Sequence, residues 1–207
     1  MPDPAQGNED EVTTPRPRIQ SLSDLIFGLA LSIGAISLLA AKPANAADFL
    51  GSIGLFGFSF LILGLVWLRY TTVMSVLPST TGTLIAFNMA LLFLVSIEPY
   101  IFSLIGFQTV TGLVDVGTVT SAYAVDLGLI NVIMAYFINL LTVEEKRLVP
   151  ARLLRSYRFQ RNVTIFVAAV FFLSALPVFT IEEKLLLWLF TLASFAARKA
   201  VEARLAR

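Results

Sequence analysis

The chain has 207 residues, 57% of them hydrophobic and only 14% charged, with a mean hydropathy of +0.82 and a formal net charge of +1. Soluble domains place about a quarter of their residues in charged side chains, so this is an integral membrane protein, and its charge balance gives no sign of a nucleic-acid partner. Cys and His are both absent, which excludes disulfides and thiolate chemistry and removes the commonest general base and metal ligand. Catalysis is not excluded by this, but its usual tools are missing, and the chain is read as a non-enzyme without a cofactor.

Residues 1–17 are polar, with Pro2, Pro4, Pro15 and Pro17 among Asp3, Glu9, Asp10 and Glu11. This composition predicts a disordered arm and leaves residues 18–207 as one membrane domain. The arm is not a signal peptide: its positive charges lie well inside the chain, and the apolar stretch that follows is long enough to cross a bilayer.

The first span is predicted from about Ile19 to Ala41. Projected at 100° per residue, it places Leu22, Leu25, Leu29, Ser32, Ile33, Ile36 and Ala40 on one face. The other face carries Ser23, Ala30, Gly34, Ser37 and Ala41, all small, with Asp24 beside them. Small residues let neighbouring helices approach closely. An Asp at the mouth of a span needs a partner or a task. Two readings follow: Ser23 and Asp24 merely start a helix, or the aliphatic face lines something shared between subunits.

Span two is predicted from about Phe49 to Tyr70, with its helix continuing to Val76, and Leu77–Gly82 breaks the chain. Span three runs from about Thr83 to Ile105, with Pro99 near its end as a kink or a stop. Gly106–Thr118 reads as a weakly polar connection, and span four as Val119 to Leu141. The linker Glu144–Arg161 holds Lys146, Arg147, Arg152, Arg155, Arg158 and Arg161; such a linker sits on anionic headgroups. Span five is predicted from Asn162 to Thr180, Glu182-Glu183-Lys184 as a tight turn, and span six from Leu185 to Ala197 with a basic tail through Arg207.

Six spans put both ends on one side. In that arrangement all Lys and Arg except Lys42 and Lys184 share the side of the termini. The positive-inside rule then makes both termini cytoplasmic, in a multi-pass protein of a prokaryotic inner (plasma) membrane. No repeat of the first three spans is visible in the last three, in contrast to many transporters.

The polar residues within the spans carry competing readings. Glu98 and Asp126 lie near the outer ends of spans three and four, as a negative rim that attracts cations or as interfacial residues reaching water. Asn88, Asn131 and Asn139 read as helix–helix hydrogen-bond partners, and Trp67 and Trp188 as interface anchors.

Arg18-x-x-x-Leu22-Ser23-Asp24 resembles the Arg-x-x-x-Phe-Ser-Asp signature of the transmembrane protein 175 family, potassium channels of endosomes and lysosomes with smaller prokaryotic relatives. Leu22 stands where the signature has Phe. SFLILGLVW, Ser59 to Trp67, resembles the family's second helix, and AFNMALLFLVSIEPY, Ala86 to Tyr100, its third. The family usually has His where this chain has Tyr70.

The resemblance implies an all-α membrane protein of six transmembrane helices per subunit, a homotetramer around a central pore. It implies a leak-type potassium channel, with K+ as the permeating ion and the bilayer and sister subunits as partners. It implies that Arg18, Ser23, Asp24 and Trp67 form a buried cytoplasmic network, with Tyr70 donating to Asp24. It also implies an aliphatic constriction on the first helix: Leu29, five residues after the Asp, then Ser32 or Ile33, then Ile36. The stripe found by projection contains all four. The Thr-Val-Gly-Tyr-Gly filter is absent. The alternative readings are a secondary transporter of a small cation or solute and a non-conducting membrane scaffold.

Overall fold

The computed structural model describes residues 15–40, 45–77, 81–111, 115–143 and 148–192, and among them it is all-helical. The helices are α1 (Pro15–Ala40), α2 (Ala46–Met74), α3 (Gly82–Thr111), α4 (Val116–Thr142), α5 (Ala151–Ser174) and α6, which covers 181–192. The first four are long and apolar enough to cross a membrane. The first fourteen residues, Lys146, Arg147 and the basic tail lie outside the described residues.

Three helix ends are set by side chains that satisfy otherwise orphaned backbone N–H groups. Asn45 accepts from the Asp48 N–H at 2.9 Å ahead of α2. Asp115 does the same for Thr118 at 2.9 Å ahead of α4. Thr180 and Glu183 form a reciprocal capping box: the Thr180 N–H donates to Glu183 Oε2 at 2.8 Å and the Glu183 N–H donates to Thr180 Oγ1 at 3.3 Å.

This box corrects the expected turn at Glu182-Glu183-Lys184, which is instead the first turn of α6. Three further boundaries differ from expectation. Helix α1 begins at Pro15 rather than after residue 17, since Pro suits the first turn of a helix. Helix α3 runs through Pro99 to Thr111, so the proline does not end it. Helix α5 starts at Ala151 and stops at Ser174, so much of the predicted basic linker is already helical.

Helix α4 is the centre. It packs against α3 and α5 and touches α2, while α1 packs on α2 and α3. Helix α6 joins the core through Trp188, which is fully buried and donates its indole N–H to Ser174 Oγ at 2.9 Å. Trp188 is therefore a core residue rather than an interface anchor. Its ring lies 5.1 Å from Tyr123, 6.2 Å from Phe58 and 6.4 Å from Phe171, and Phe102 completes the cluster at 5.1 Å from Tyr123. At the other end, Arg69 donates to Thr164 across α2 and α5, and Arg161 donates to Asn139 Oδ1 at 2.9 Å across α5 and α4.

Helices α4 and α5 come close together at Gly128. A Cβ placed on Gly128 would meet the Phe172 ring at 2.9 Å, whereas one on Gly57 would meet nothing within 4 Å. Small residues permit such close crossings in membrane bundles. Gly128→Leu is expected to destabilise the fold by about 1–3 kcal/mol, the usual range for overpacking. Gly57→Leu should stay close to wild type. Thermal unfolding in detergent, compared between the two, checks this.

Candidate functional site: the two faces of the first helix

Helix α1 divides as its residue sizes dictate. Ser23, Phe27 and Ala30 are almost wholly buried. Leu31 is half-buried against the core, and Gly34 sits beside the Phe56 ring, 3.4 Å from where its Cβ would be. The bulky stripe is turned away from the chain: Leu25 is 59% exposed, Leu29 52%, Ile33 48% and Ile36 60%. Ser32 lies in the same exposed arc, where its hydroxyl donates to the Gly28 carbonyl at 2.8 Å. Gly28, Ala35 and Asp24 are exposed on its flank.

A set of polar contacts holds this helix in register. Ser23 Oγ and the Tyr70 hydroxyl are 2.6 Å apart, and the Tyr70 hydroxyl donates to Asn88 Oδ1 at 2.8 Å. One buried chain of hydrogen bonds thus joins α1, α2 and α3. The Phe27 and Tyr70 rings pack beside it with centroids 5.5 Å apart. One turn earlier on α2, the Trp67 indole N–H donates to Asp24 Oδ1 at 2.9 Å.

Ser23, Asp24, Trp67 and Tyr70 are therefore brought together, with one correction. Tyr70 serves Ser23 and Asn88, and Trp67 is the donor to Asp24. Trp67 and Tyr70 are three apart on α2 and share a face, so they meet the neighbouring residues Ser23 and Asp24 separately. Asp24 is exposed rather than buried. The Arg18 side chain lies outside the described residues.

Glu98 and Asp126 require a larger correction. Neither reaches water: Glu98 is fully buried and Asp126 is 4% exposed. Both Glu98 oxygens accept from Ser59 Oγ, at 2.9 and 3.2 Å, and Oε1 also accepts from the Tyr123 hydroxyl at 2.9 Å. Among the described residues, Asp126 has no hydrogen-bond partner on either oxygen. Of the three Asn residues, Asn88 and Asn139 bridge helices as expected. Asn131 instead donates to the Leu127 carbonyl of its own helix at 2.9 Å, and its oxygen has no partner among the described residues.

The sequence reading left Ser59 and Tyr123 out of any site. The available signal was a Ser and a Tyr in spans flanking a buried acid, since intramembrane carboxylates seek hydroxyl donors.

The geometry of α1 to α3 coincides with a family match. Residues 18–99 match the family described as the endosomal/lysosomal potassium channel TMEM175. The stretch spans α1, α2 and α3 up to Pro99, which includes both ends of the Ser23–Tyr70–Asn88 chain and the Trp67–Asp24 bond. No curated protein matches the sequence. Among solved structures, a TMEM175 homolog from Chamaesiphon minutus, titled a lysosomal potassium-selective channel homolog, has the same fold with a TM-score of 0.63. The match covers 88% of this chain and 97% of that one at 17% identity.

Removing the Tyr70 hydroxyl takes the donor from the buried Asn88 Oδ1, while Ser23 Oγ keeps the Ile19 carbonyl of its own helix at 2.8 Å. Tyr70→Phe is expected to cost about 1–3 kcal/mol, the penalty for leaving buried polar groups unpaired. Trp67→Phe, which frees only the exposed Asp24, should cost less. Chemical or thermal unfolding of the two variants in the same detergent checks the order.

Proposed function

We propose that this chain is the subunit of a potassium channel in which the exposed arc of α1 lines a central pore. The reading rests on the TMEM175 match over residues 18–99 and on one structural observation, the polar content of that arc.

Exposed apolar residues alone do not distinguish a pore from a lipid face. Helix α2 exposes Phe49, Leu50, Ile53, Phe60 and Leu61, a bulky apolar surface suited to hydrocarbon. The arc of α1 carries the exposed Asp24 carboxylate inside its apolar window Ile19–Ile36, together with Gly28, Ser32 and Ala35, whereas the exposed acid of α2, Asp48, lies in that helix's first turn. A carboxylate facing lipid is costly, and intramembrane charges face protein or a water-filled cavity. Small residues on the flank suit contact with a sister helix. Four such helices around an axis would place the stripe inside the ring.

In this proposal the assembly is a homotetramer, all six helices cross the plasma membrane, and both termini are cytoplasmic. Leu29 is the narrowest layer, followed outward by Ser32 or Ile33 and then Ile36. Potassium is the permeating ion, and the conductance is leak-type. A ring of aliphatic side chains offers an ion no ligand, and controls passage by width and dewetting. The hydrogen bonds of Ser23 and Asp24 act behind the ring as positioning contacts. They fix the rotation of α1 about its axis, and so which side chains meet at the centre.

One observation favours the transporter reading. Glu98 and Asp126 are ionisable side chains buried within the bundle, and transporters build their sites on such residues. A transporter saturates and turns over slowly, whereas a channel gives unitary currents far above any carrier rate. Recordings of purified protein in planar bilayers under potassium and sodium gradients separate the two.

The constriction has its own test. Leu29→Ala should raise unitary conductance severalfold and weaken the preference for potassium over sodium. Leu29→Asn should wet the ring and have a stronger effect. Leu31→Ala, on the core side, should leave permeation unchanged and cost about 2 kcal/mol of stability, the lower end for truncating a packed Leu. Equal effects on permeation at Leu29 and Leu31 would remove α1 as the pore lining.

A further inference from the structure

Glu98 and Asp126 are both buried in a bundle of apolar and aromatic side chains, and both belong to the surroundings of Tyr123: its hydroxyl donates to Glu98, and Asp126 lies three residues further along α4 on the same face. Two negative charges so placed repel one another, and in low dielectric each is costly without a partner. Their surroundings can be taken helix by helix. Helix α2 contributes the Ser59 hydroxyl, and α4 contributes the Tyr123 hydroxyl as well as Asp126 itself. Helix α6 sets Trp188 against Tyr123, and its basic residue, Lys184, is spent on the first turns of α4. The Lys184 ammonium donates to Ser121 Oγ at 2.8 Å, Thr120 Oγ1 at 3.2 Å and the Gly117 carbonyl at 3.4 Å. It lies toward the end of α4 capped by Asp115. Helix α5 brings the Phe171 ring to Trp188. Among the described residues, neither Glu98 nor Asp126 forms a salt bridge.

The two acids are unequal. Glu98 receives hydrogen bonds from Ser59 and Tyr123, which stabilise a negative charge there. Asp126 receives none from the described residues, although both its oxygens are buried. We propose that this pair is a proton-binding site: Glu98 is the ion, and Asp126 carries the proton that removes the second charge from the bundle. A buried carboxyl with no partner for its charge keeps its proton in this way. The site stands apart from the exposed arc of α1 and does not depend on conduction.

Folding then takes up a proton at neutral pH, because Asp126 in the unfolded chain is ionised there. The sign follows: the native state binds more protons, so stability falls as pH rises. The site is a built-in link between pH and the packing of α2, α3 and α4.

Infrared spectroscopy of the purified protein in lipid reads the site directly, since a protonated carboxyl has a C=O stretch that carboxylates lack. At neutral pH the wild-type protein is expected to show this band, with a shift on deuteration. Asp126→Asn should abolish it, and Glu98→Gln should leave it. The fall in thermal stability between neutral and alkaline pH should also be lost in Asp126→Asn.

Absence of the band in wild type, or its survival in Asp126→Asn, would overturn the proposal. Loss of the band in Glu98→Gln alone would reverse the assignment and overturn it too. A band displaced by potassium or calcium at constant pH would show that the pair holds a metal cation instead. If Asp126→Asn fails to fold, Asp126→Glu should shift the band rather than remove it, and an unmoved band there again overturns the assignment.

Discussion

Hydrocarbon offers no hydrogen-bond partner to a polar atom, so a hydroxyl, amide or carboxylate inside a membrane bundle is costly unless it finds one within the protein. The Ser23–Tyr70–Asn88 chain is the solution on which the arrangement of α1 depends. Helix α1 packs on α2 and α3 rather than on the central α4, and Ser23, Tyr70 and Asn88 are all buried at that junction. Ser23 can also reach the Ile19 carbonyl of its own helix, but Tyr70 and Asn88 meet their partners only when the helices are in register. Apolar packing tolerates sliding and rotation; a hydroxyl relay does not, because a small rotation of α1 carries Ser23 away from Tyr70. The Trp67–Asp24 bond applies the same constraint from the exposed side of the helix.

The opposite end of the bundle follows the same rule with different groups. The rings of Phe58, Phe102, Tyr123, Phe171 and Trp188 join five helices, and the one polar group on Tyr123 is turned to Glu98. Trp188 likewise turns its indole N–H to Ser174. At each end the aromatic residues supply contact area, and their single polar atoms fix the orientation.

The two faces of α1 were legible in the sequence because residue size and helical period agree there. Bulky side chains recur every three or four positions on one side, and Ser23, Ala30 and Gly34 recur on the other. The family resemblance rested on the same stretch and was met by the match over residues 18–99. The number and approximate position of the helices were also legible from the apolar runs and the breakers between them. What the sequence concealed was direction. Helices α3 and α4 are apolar on all sides, so nothing in the spacing of Glu98 or Asp126 showed whether each faced water or the core. Trp188 was hidden in the same way, since an indole suits both an interface and a core with a partner for its N–H. Tyr70 was placed in the right cluster and given the wrong partner, because adjacent residues of α1 differ by 100° and only the crossing of α1 and α2 decides which meets which. The start of α6 was missed because Glu183 was read as a charge in a turn, when its carboxylate caps the backbone.

The separation of the faces of α1 has a consequence for how this surface can vary. Leu25, Leu29, Ile33 and Ile36 make little contact within their own chain, so the single-chain fold exerts almost no selection on them. Their identities answer only to whatever they meet beyond the chain. Ser23, Phe27 and Ala30 answer to the fold. A lineage could therefore retune the exposed surface by substitution, trading width, polarity or branching, while the scaffold beneath it stays at constant stability. Adaptation of the one and preservation of the other are assigned to different residues of the same helix.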